Sequence, residues 1–78
     1  MDKDLLWSKI LEKIKTELNS LAYQTWFLET ELHKIEGGVA TIIVPYAIHK
    51  QHIINNYKDL LNKCFMELTQ SNYELDLC

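Results

Sequence analysis

Residues 36–45 read Glu-Gly-Gly-Val-Ala-Thr-Ile-Ile-Val-Pro, and this stretch decides the fold. Adjacent glycines supply the positive φ angles of a two-residue hairpin turn at no steric cost. Thr, Ile and Val on either side favour extended backbone, so the stretch predicts a hairpin of about Thr30 to Glu36 and Val39 to Val44. The second strand is apolar on both faces. That is expected of a central strand with helices on one side and some cover on the other, and it is therefore placed mid-sheet. Pro45, the only proline, ends it.

Downstream of Pro45 a helical pattern runs to about Leu68, with Ile53, Tyr57, Leu60, Leu61, Cys64 and Leu68 on one stripe. Low helix propensity at Asn55-Asn56 marks the place for any bend. From Asn72 to Cys78, Tyr73, Leu75 and Leu77 alternate with Glu74, Asp76 and Cys78, the pattern of a half-buried strand. Upstream of the hairpin, Leu6, Ile10, Leu11, Ile14 and Leu18 recur at helical spacing between Asp4 and about Asn19, with Asp2 or Asp4 available as N-cap. Ser20 is positioned to cap a second, short helix from Leu21 to about Leu28, dense in aromatics at Tyr23, Trp26 and Phe27. The order is helix, helix, strand, strand, helix, strand: an α+β fold in which a three-stranded sheet packs against helices, spanning residues 1–78 as one domain.

Size and charge narrow the function. A chain of 78 residues buries only about 60% of the surface it exposes when unfolded, which leaves little structure for enclosing a substrate. Eleven acidic residues against eight basic ones give a net charge of −3, and all eight basic residues are lysine. Nucleic-acid binders that work by neutralising phosphates carry the opposite excess, and the arginine fork that reads guanine edges is missing. Any nucleic-acid contact is expected to be local and weak. No apolar run has the length and flanks of a signal peptide or membrane span, so the chain is expected in the cytoplasm with no membrane contact. There Cys64 reads as a small apolar filler and Cys78 as a terminal thiol, with no disulfide.

The element order resembles a KH-type arrangement. Leu6-Trp7 opening the first helix, Glu17-Leu18 near its end, Tyr23-x-x-Trp26 in the second and Val44-Pro45 before a long third helix resemble the N-terminal domain of DnaA, the bacterial replication initiator. The likeness runs from about Leu5 to about Leu77. It implies a protein-docking domain that associates with itself, helps recruit the replicative helicase and receives regulators of initiation. ATP hydrolysis and origin recognition belong, in that family, to other domains. Weak single-stranded DNA binding is also implied, and a stand-alone KH-like module binding single strands is the alternative reading. The two differ in their response to salt, since phosphate-driven binding weakens steeply with added salt and apolar docking does not.

The residues bear on these roles individually. Trp7 falls within the stripe of Ile10, Ile14 and Leu18, which reads as core, while the resemblance matches it to a self-association contact; an exposed patch of Leu5, Leu6 and Trp7 would serve that contact. Ile48 points away from the third helix's apolar stripe, on the side of His52, Asn55 and Asp59, and the resemblance matches it to a helicase contact. The companion position on the second helix, often acidic in relatives, is Ala22, which shifts that contact toward apolar area around Ala22 and Thr25. Tyr23, Trp26 and Phe27 read as core filler rather than a base-stacking platform, because no lysine is interleaved with them.

His49 and His52 stand three apart on one helix side, but no third ligand accompanies them, so no metal is expected. Nor is any cofactor or enzymatic activity: there is no phosphate-cradling glycine loop, no nucleophile elbow and no pair of carboxylates in an apolar surround. A KH module would also need a Gly-x-x-Gly loop, and this chain has only the adjacent glycines of its hairpin.

Overall fold

The computed structural model describes residues 2–78. In it, α1 spans Lys3–Glu17, α2 Ser20–Trp26, β1 Glu31–Glu36, β2 Val39–Ile43, α3 Ala47–Thr69 and β3 Glu74–Leu77. The α+β class and the element order agree with the sequence reading. Asp2 caps α1, its side chain accepting from the Asp4 amide. The cap of α2 is Asn19 rather than Ser20: the Asn19 side chain accepts from the Ala22 amide at 2.8 Å, three residues on, the reach an N-cap needs. The Ser20 hydroxyl accepts instead from the Gln24 side chain. Through Asn55-Asn56, α3 continues without a break. It ends where Gln70 turns left-handed, at φ 62°.

Gly37 and Gly38 take φ of 58° and 78° and fold β1 back on β2 in antiparallel register, Glu36 opposite Val39. A register shift between Leu32 and Lys34 marks a bulge at His33. β2 lies in the middle, and β3 runs parallel to it. Parallel neighbours need a long crossover, and α3 is that connection. β2 stops at Ile43, one residue short of the expected end. Val44 still donates to the Cys78 carbonyl at 2.8 Å, so the chain stays tied to the tail beside it.

Alternation along β2 sets the core. Ala40, Ile42 and Val44 are buried with Leu32 and Leu77 in one cluster with Leu6, Trp7, Ile10 and Ile14 of α1 and Ile53, Leu61, Cys64 and Phe65 of α3. The other face is barer than expected. Ile43 is exposed and Val39 half-buried, and Thr41 is buried between Lys34 and Asp76, its partners on the flanking strands. Charged neighbours, not a second layer, cover that side of the central strand.

Candidate interaction surface on the second and third helices

Two of the residues expected at a surface are not there. Leu6 and Trp7 are only 4% and 5% exposed, because both point into the α1 core stripe, and the Trp7 indole N–H donates to the Thr30 carbonyl at 3.3 Å. The exposed patch expected over Leu5, Leu6 and Trp7 therefore reduces to Leu5, which is half-exposed. Periodicity read Trp7 correctly as core.

The other site residues come together across α2 and α3. Ile48 is 64% exposed at the start of α3, as its place off the apolar stripe required. His52, one turn further on, is half-buried and lies flat against Trp26 of α2, ring centroids 3.8 Å apart and planes at 11°. His49 approaches the same indole edge-on at 5.2 Å, and its Nε2 hydrogen-bonds the Thr25 carbonyl at 2.8 Å. Thr25, through its carbonyl, and Trp26 thus form one seam with the first turns of α3, and Ala22, half-buried, lies one turn before Trp26 on α2. Leu21 on α2, Leu28 just past its end and Tyr46 just before α3 add exposed apolar area.

Sequence reasoning placed Trp26 in the core with Tyr23 and Phe27. Tyr23 and Phe27 are buried, but Trp26 is only half-buried and fills the α2–α3 seam. His49 and Tyr46 went unnoticed as parts of this surface. His49 bonds a residue 24 positions away, and no local pattern signals such a contact.

Elsewhere the surface offers open grooves. One of about 480 Å³ lies between α1 and α2, lined by Lys15, Ser20, Tyr23, Gln24 and Leu28. The Lys15 amine stands 5.2 Å from the Tyr23 ring centroid, a cation over an aromatic face. No histidine, acid or thiol lines this groove.

A family model described as the DnaA N-terminal domain matches residues 4–67. The chain belongs to that family. The matched span takes in α1, α2, the hairpin and most of α3, and with them Leu5, Ala22, Thr25, Ile48 and His52. Curated relatives agree. The chain is 30% identical over 70 residues to the chromosomal replication initiator protein DnaA of Thermodesulfovibrio yellowstonii, covering 90% of this chain and 16% of that protein. It is 28% identical over 65 residues to DnaA of Rhizobium johnstonii, covering 83% and 14%. Against DnaA of Treponema denticola it is 25% identical over 75 residues, covering 96% and 16%. It therefore spans about one-sixth of the length of these DnaA proteins. Among the described residues, no helix of this DnaA N-terminal domain is long and apolar enough to cross a membrane.

Both thiols are free, Cys64 buried in the core and Cys78 exposed. Burial pushes the Cys64 thiol up, with the Glu67 carboxylate adding to the effect, so little thiolate forms there near neutrality. A thiol reagent at about pH 8 is expected to label Cys78 quickly and Cys64 only after denaturation, because the thiolate is the nucleophile. Mass spectrometry of the labelled native protein checks this. Equal labelling of both cysteines would contradict the packing of α3.

Proposed function

We propose that this chain is a non-enzymatic docking domain of a cytoplasmic DNA-replication initiator. It associates weakly with itself and recruits the replicative helicase and regulators of initiation. The helicase face is the α2–α3 surface around Ala22, Thr25, Ile48 and His52, and Leu5 on α1 contributes to self-association. The observation that carries this reading is the seam that joins α2 to the first turns of α3, where His49 bonds the Thr25 carbonyl and His52 stacks on Trp26, with Ile48 exposed next to His49. An exposed β-branched side chain stands there beside a second helix held in fixed register by Trp26, His49 and His52. Family membership sets the context in which such a face would work. With Ala22 in place of an acid, apolar area supplies the contact, so binding is expected to change little with salt.

The test is sedimentation of the native chain with the same organism's replicative helicase, compared with Ile48→Glu. Ile48 is exposed, so the substitution leaves the fold intact. A carboxylate buried in an apolar contact is expected to weaken the complex about tenfold. Unchanged binding by the folded variant would sink the assignment. Association with single-stranded DNA alone, lost steeply as salt rises, would replace it with the nucleic-acid reading.

A further inference from the structure

We infer that His49 is a positioning residue of this face: reaching across from α3, it caps the C-terminal end of α2 and so fixes where Ala22 and Thr25 stand relative to Ile48. The inference rests on the docking role proposed above. Helix α2 has only seven residues, far below the length at which a helix persists alone, so its placement depends on its neighbours. The last carbonyls of any helix lack partners inside it. Here the Thr25 carbonyl finds its partner on another helix, in the His49 ring at 2.8 Å.

A carbonyl only accepts, so His49 Nε2 carries the hydrogen of this bond. Nδ1 is buried with no partner, which is unfavourable by itself. The ring holds its pose because the Thr25 bond and its contacts with Trp26 and Tyr46 outweigh the loss. One turn later the His52 stack on Trp26 adds a second point of attachment. Two points on adjacent turns set both the distance and the rotation of α2. His49 follows Ile48 directly, so the same short segment presents the apolar contact and anchors the companion helix.

The test compares His49→Leu, which removes the donor, with His49→Gln, whose amide nitrogen reaches about as far as Nε2. Hydrogen exchange of the α2 amides from Gln24 to Phe27 and helicase binding are both measured, with Ile48→Glu as the binding control. Leu also removes the orphan nitrogen, so global melting need not fall, and exchange at α2 is the decisive readout. His49→Leu is expected to speed that exchange about tenfold and to weaken binding several-fold, with Gln restoring both toward native. Native exchange at α2 in the Leu variant, or Gln no better than Leu, overturns the capping role. Faster exchange with native binding overturns its link to docking. Binding indifferent to Ile48→Glu would count against the docking face itself, while α2 exchange would still decide whether His49 positions the helix.

Discussion

Trp7→Ala is expected to lower the melting temperature by about 15 °C or more. The side chain is 5% exposed, its N–H is bonded to the Thr30 carbonyl, and its ring centre lies 6.4 Å from that of Phe65. Truncating a buried tryptophan costs about 3–5 kcal/mol. A domain of 78 residues holds on the order of 4–12 kcal/mol in all. In a domain of this size each kcal/mol shifts melting by about 4–8 °C, so the truncation removes a large share of the total stability. A loss of self-association in Trp7→Ala would then carry the effect of a loosened core, because Trp7 is 5% exposed. Leu5→Asp separates a lost contact from a loosened core, since Leu5 is half-exposed and its replacement is expected to cost under about 0.5 kcal/mol. Thermal melts of Trp7→Ala within a few degrees of native would show that Trp7 is not core.

Trp7 also shows what the sequence contained. Helical periodicity put it on the stripe of Ile10 and Ile14, and it is buried with them. Its place in the first turn of the first helix, together with the resemblance, drew it toward the surface. The same periodicity set Ile48 off its stripe, and it is exposed. The hairpin was equally legible, because adjacent glycines between β-branched runs have few other uses.

What escaped the sequence depends on contacts between distant elements. The stripe read on α3 held Ile53, Leu61 and Cys64, which are buried, but also Tyr57, Leu60 and Leu68, which are half-buried, and it left out Phe65, which is fully buried. Periodicity gives the direction of a stripe but not which flank the following chain will cover. Here Tyr73, just ahead of β3, lies over the Phe65 flank at 5.5 Å. The direction of β3 was hidden for a similar reason, since alternation reveals a strand and not its partner. The seam between α2 and α3 joins residues 24 apart, beyond any local signal.

Phe65→Ala is accordingly the second large effect expected, and it decides what holds α1 against α3. Two ion pairs cross that interface, Lys63 to Glu17 at 3.4 Å and Lys13 to Glu67 at 3.8 Å, with side chains 39–60% exposed. Solvent screens such pairs, so each contributes under about 1 kcal/mol. Phe65 has no exposed surface and meets Trp7 on one side and Tyr73, edge to face, on the other. Its removal opens a cavity lined by both and is expected to cost about 3–5 kcal/mol, the range set for Trp7. Urea denaturation distinguishes the accounts: Phe65→Ala should move the midpoint several times further than Lys63→Ala or Glu17→Gln. Because single truncations to alanine approach the total stability, the aromatic contact itself is best measured with Trp7→Phe and Phe65→Leu in a double-mutant cycle. A coupling of about 0.5–1.5 kcal/mol is expected there. A larger shift from Lys63→Ala than from Phe65→Ala would mean that the helices are held by charge, contrary to the packing of the core.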